Sequence, residues 1–94
     1  MPRDTLLDRF RRYVKIDTQS VEGAKEYPSS PGQRALGERL AAELRLLGLT
    51  EARANADGIV MATIPATAPR APAIAWLAHM DTSPESSGKD VVPV

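Results

Sequence analysis

The chain contains a single histidine, His79, and an aspartate, Asp81, stands two residues after it. In an extended backbone these two side chains project to the same side, about 6.5–7 Å apart along the strand, while Met80 points the other way. A metal-bound imidazole needs its second nitrogen held by an acceptor, and a carboxylate two residues on can supply it where a strand end bends. His79 and Asp81 are thus chemically coherent as one half of a metal-dependent hydrolytic site. A boundary histidine held by a hydrogen bond is the bland alternative, and spacing together with local context leaves the two readings level. A catalytic zinc takes about three protein ligands and a water. With one histidine and no cysteine, this chain offers only part of such a set.

Other chemistry has less support. Thr18, Ser20, Ser83, Ser86 and Ser87 are hydroxyls with no second histidine to act as base, so they read as turn and capping groups rather than as a Ser-His-Asp hydrolase. Gly88-Lys89 lacks the upstream glycine of a P-loop, and Gly58 opens no dinucleotide fingerprint. Twelve basic and twelve acidic residues cancel and are interspersed, which argues against nucleic acid or an anionic membrane as partner. The absence of cysteine excludes a disulfide framework and fits a reducing compartment. The N-terminal residues are charged throughout and no stretch reaches transmembrane length, so a cytoplasmic protein is the expectation.

The elements that must position His79 follow from periodicity. At 94 residues, 1–94 is expected to hold no more than one domain. Leu6, Leu7, Phe10, Tyr13 and Val14 fall at helical spacing with charges opposite, which predicts an amphipathic helix with Asp4 or Thr5 as its N-cap. Residues 17–29 read as a loop. Ser30-Pro31-Gly32-Gln33 then offers an N-cap serine, a proline at the first helical position and a glutamine where a capping box needs one. The stripe Ala35, Leu36, Leu40, Ala41, Leu44 and Leu47 extends the second helix to Gly48, over about seventeen residues. Residues 50–56 alternate weakly as an edge strand, and Asp57-Gly58 is a hairpin-turn dipeptide before the run 59–64. That run and 73–78 are apolar on both faces, the mark of covered strands, with a proline-rich connection between them. His79 would sit at the end of the second of these, at the edge of an α/β sheet where ligands usually bind. The chain stops on the apolar run 91–94, which is read as truncation of a longer chain rather than as a finished domain.

Several phrases can be taken together: Phe10-x-x-Tyr13-Val14, Asp17-Thr18-Gln19-Ser20, Pro28-Ser29-Ser30-x-Gly32-Gln33, Gly48-Leu49, Gly58-x-x-Met61-Ala62-Thr63-x-Pro65 and His79-Met80-Asp81-Thr82-Ser83-Pro84, followed by Ser87-Gly88-Lys89. In this order they resemble the N-terminal part of the peptidase T family, the tripeptide aminopeptidases among the dinuclear zinc peptidases. The resemblance implies the N-terminal portion of an α/β/α sandwich, incomplete here, with two amphipathic helices followed by strands of a mixed sheet. It implies that His79 is a zinc ligand and that Asp81 orients it and supports catalysis. Two zinc ions, a tripeptide substrate and a possible homodimer are implied for the whole enzyme. So are a bridging aspartate, a general-base glutamate, further metal ligands and an inserted dimerisation domain, none of which this chain contains. A deacylase, dipeptidase or carboxypeptidase of the same family, or a non-catalytic α/β module with a fortuitous His-x-Asp, are the alternatives.

Overall fold

The computed structural model describes residues 3–94. Helix α1 spans Leu6–Tyr13 and helix α2 spans Pro31–Leu46, followed by strands β1 at Arg53–Ala54 and β2 at Val60–Met61. The α1 start is fixed by a reciprocal cap: the Asp8 amide donates to Thr5 Oγ1 at 3.1 Å and the Thr5 amide donates to the Asp8 carboxylate at 3.0 Å. Each bond satisfies a donor that a helix end would otherwise leave bare. Of the two expected N-caps, Thr5 is the one used.

Helix α2 ends as its sequence predicts. Gly48 takes φ +100, the Gly48 amide bonds the Arg45 carbonyl and the Leu49 amide bonds that of Leu44, together forming a Schellman turn. Its start differs from expectation. Proline does occupy the first turn, but Ser30 makes no side-chain capping bond and its buried hydroxyl has no partner. Gln33 does not close a capping box either: its Nε2 donates to the Thr18 carbonyl at 3.3 Å and to Ser29 Oγ at 3.0 Å. A tertiary acceptor outcompetes the local one.

The core is small and lies where α2 crosses the hairpin. Leu36, Ala41 and Ala52 are buried, and Gly37 lets the Val60 side chain and the Gly58 carbonyl approach the helix closely. Strands β1 and β2 pair antiparallel, Arg53 with Met61 and Ala54 with Val60. The loop between them is organised by Asn55, whose side chain accepts from the Asp57 and Ile59 amides, while Gly58 supplies φ +83.

Two expectations about strands are corrected. The run 59–64 is paired only at Val60–Met61, and its apolar residues Ile59, Met61 and Ile64 are exposed rather than covered. The run 73–78 forms no strand, and Trp76 and Leu77 are 93% and 90% exposed. The reason is physical: two-sided apolar strands are stable between partners and cover, and among the described residues neither is present for these segments. What exists of the expected α/β fold is two helices and one two-stranded hairpin.

Helix α1 is attached differently. None of its residues is buried, and Leu6, Leu7 and Phe10 are exposed. Polar contacts attach it to α2 instead: Arg12 bonds Glu43 and the Tyr13 hydroxyl donates to Glu43, while Arg9 and Arg12 also bond Asp4 just ahead of the helix. Hydrogen bonds from Arg12 and then Arg9 hold the Asp4 carboxyl well below the usual carboxylate range. Partial burial first, and then the Glu43 carboxylate, push the Tyr13 hydroxyl up.

Candidate metal centre

His79 and Asp81 lie on the segment that follows the bare run 73–78. The expectation of a site at the end of a buried strand is therefore also corrected, since the side chains of His79 and Asp81 are 85% and 46% exposed. The local geometry is nonetheless ordered. His79 Nδ1 lies 2.8 Å from the Asp81 backbone carbonyl oxygen and 3.1 Å from Asp81 Oδ1. A carbonyl oxygen can only accept, so Nδ1 carries the proton and donates. In the neutral imidazole this leaves the lone pair on Nε2, pointing away from the pair and available to a metal ion.

Met80 and Thr82 occupy the opposite side of this segment, as the alternation of an extended chain requires. They line an open, mainly apolar cleft of about 360 Å³ whose other walls include Tyr13, Val14, Thr18, Leu36 and Val91. The imidazole and carboxylate are not among the cleft-lining groups.

The segment is positioned by a contact from within residues 17–29, expected from their composition to be a loop. Residues 18–20 run parallel to 82, with Gln19 and Thr82 as bridge partners. The Thr82 amide donates to the Thr18 carbonyl at 3.2 Å, and the Ser20 amide donates to the Thr82 carbonyl at 2.9 Å. Ser20 Oγ bonds that same Thr82 carbonyl, and Gln19 Nε2 reaches the Pro84 carbonyl. Behind this pairing, the Asp17 carbonyl sits directly on Gly32, where a Cβ would overlap it. Gly88 packs less tightly, a Cβ there lying 3.1 Å from Asp17 Oδ1 and 3.2 Å from Thr82 Oγ1. Thr18, Gln33 and Gly32 are therefore site-supporting residues that periodicity alone missed. The signal was present only in the way Asp17-Thr18-Gln19-Ser20 and Gly32-Gln33 accompany His79-x-Asp81 in the family resemblance.

As a donor set, His79 fits one position of a zinc site, with a neutral Nε2 and an acceptor behind Nδ1. Among the described residues no group of three His, Asp, Glu or Cys is gathered that could hold a metal ion. No helix among them is long and apolar enough to cross a membrane.

No family model matches the chain. Individual proteins do. Peptidase T of Parabacteroides distasonis is 49% identical over 90 residues, covering 95% of this chain and 22% of that protein. Peptidase T of Bacillus thuringiensis and that of Bacillus anthracis are each 47% identical over 92 residues, covering 97% of this chain and again 22% of theirs. The chain thus spans about a fifth of the length of the relatives it matches, and over nearly all of its own length it is a homologue of peptidase T.

Proposed function

We propose that these residues belong to a zinc-dependent aminopeptidase that removes the N-terminal residue of tripeptides, with His79 as a zinc ligand and Asp81 as the group that orients and polarises it. The observation carrying this reading is the His79 Nδ1 contact to Asp81 at 2.8 and 3.1 Å, on a chain 47–49% identical to peptidase T. Holding Nδ1 as the donor directs Nε2 outward as the ligand atom. The Asp81 carboxylate, accepting from the same nitrogen, makes the imidazole a stronger base toward a metal. Zinc at such a site supplies Lewis acidity toward a peptide carbonyl and activates water near neutral pH. One ligand does not make the site, so catalysis requires the remaining acidic and histidine ligands of a chain of the relatives' length. In that chain the bare run 73–78 would become a covered strand of an α/β/α sandwich, which gives its two-sided apolar pattern a purpose.

The test uses a protein of the relatives' full length carrying these 94 residues. Tripeptides should be hydrolysed in preference to dipeptides and N-acylated amino acids. Preference for either of the latter would assign the chain to a dipeptidase or deacylase instead. His79→Ala should abolish stoichiometric zinc, and Asp81→Ala should cost about 10–100-fold in metal affinity or turnover. Unchanged zinc content and turnover in both variants would remove the proposed roles.

A further inference from the structure

We propose that the peptide unit joining Asp81 and Thr82 is a second orienting group for His79, independent of the Asp81 carboxylate, and that Gln33 of α2 is its positioning residue. This inference rests on the reading of His79 as a metal ligand only for its purpose, since the geometry belongs to the chain itself. A peptide unit is planar and rigid, so fixing its N–H fixes the direction of its C=O. Here the N–H, on Thr82, donates to the Thr18 carbonyl at 3.2 Å. The C=O, on Asp81, accepts from His79 Nδ1 at 2.8 Å, a shorter contact than the 3.1 Å to the carboxylate oxygen.

The Thr18 carbonyl is in turn held. Gln33 Nε2 donates to it at 3.3 Å from the first turn of α2, and Thr18 and Gln33 are 4% and 8% exposed, among the most buried polar residues of the molecule. A buried amide with defined partners has few alternative positions, because leaving one donor unmade costs more than the bond contributes. The line of contact therefore runs from α2 through Gln33, the Thr18 carbonyl and the Thr82 amide to the Asp81 carbonyl and His79 Nδ1. Carboxylate and carbonyl divide the work. The carboxylate adds negative charge, while the carbonyl sets the direction and the tautomer. An exposed carboxylate that rotates toward solvent leaves the carbonyl in place.

The chain's single histidine gives one imidazole spin system, so its tautomer can be read by nitrogen-15 NMR at about pH 9, above the ordinary imidazole range. The metal-free 94-residue chain should show the Nδ1–H tautomer as the major form. Asp81→Ala should keep it, and adding Gln33→Leu should shift the balance to Nε2–H. The Thr82 amide should exchange with solvent about tenfold or more slowly than that of Ser83, a measurement that needs no variant. A switch to Nε2–H on Asp81→Ala alone would overturn the proposal by leaving the carboxylate as sole orienter. So would an Nε2–H major form in the unaltered chain, retention of Nδ1–H in the double variant, or a Thr82 amide exchanging as fast as Ser83. Because no zinc is added, failure here is distinct from failure of the metal reading, which the full-length experiment decides.

Discussion

Helix α2 with its hairpin and the wholly apolar run 73–78 meet opposite fates. The first packs Leu36, Gly37 and Ala41 against residues arriving within the next twenty-five or so positions, and its C-terminal end is closed by its own backbone. The second has a strand's composition and, among the described residues, no partner, so Trp76 and Leu77 stand in solvent. The difference teaches that hydrophobic pattern states a demand for burial, whereas burial itself depends on what the rest of the chain brings. The site lies between these regimes: His79 follows the bare run, while its Asp81–Thr82 peptide is tied back to the packed part through Thr18.

The contrast is broken most directly at Gly32. A methyl group there overlaps the Asp17 carbonyl, so Gly32→Ala should destabilise the chain by about 1–3 kcal/mol and release the pairing of 18–20 with 82. Thermal denaturation followed by circular dichroism measures the first effect, and the Thr82 amide exchange rate the second. Unaltered values for both would mean that α2 and residues 17–20 are not in contact in solution. The bare run makes the opposite prediction. Trp76→Ser should change stability by less than about 0.5 kcal/mol, as surface substitutions do. A larger loss, or a blue-shifted tryptophan emission in the unaltered chain, would show that 73–78 is covered in solution.

The smallest effect concerns α1. Asp4 titrates below its ordinary value because Arg12 and Arg9 bond its charged form, so its contribution is present in full above the unfolded value of 3.8 and is lost as pH falls below that. Acidification through and below that value should therefore weaken the tie of Asp4 to Arg9 and Arg12 of α1 before α2 and the hairpin melt. The Nε–H resonances of Arg9 and Arg12 report the first event and backbone amides of α2 the second. Simultaneous loss would make the molecule one cooperative unit and erase the distinction between polar and apolar attachment.

Local chemistry made several of these features legible in advance. The Thr5 cap of α1, the proline start and Gly48 stop of α2, and the turn around Asp57-Gly58 each depend on residues adjacent in sequence. His79 and Asp81 were legible for the same reason, being two residues apart. Gln33 was misread as a cap because its real acceptor, the Thr18 carbonyl, lies fifteen residues away. The charge cluster linking Asp4, Arg12, Tyr13 and Glu43 is not legible in the sequence because it pairs two helices whose mutual placement no periodicity specifies. Strands at 59–64 and 73–78 were over-read, since an apolar run announces a strand's composition and not its partner.

The parallel bridge between Gln19 and Thr82 has a consequence for the order of assembly. Its hydrogen bonds join residues as much as 64 positions apart, Thr18 with Thr82, and closing so long a loop carries an entropic cost that grows only with the logarithm of its length. Most of that loop's compaction comes from α2 and its hairpin, whose contacts are short-range and form early. The orientation of His79 is thus expected to be among the last features acquired during folding, arriving only after the part of the chain that contains no metal ligand has become solid.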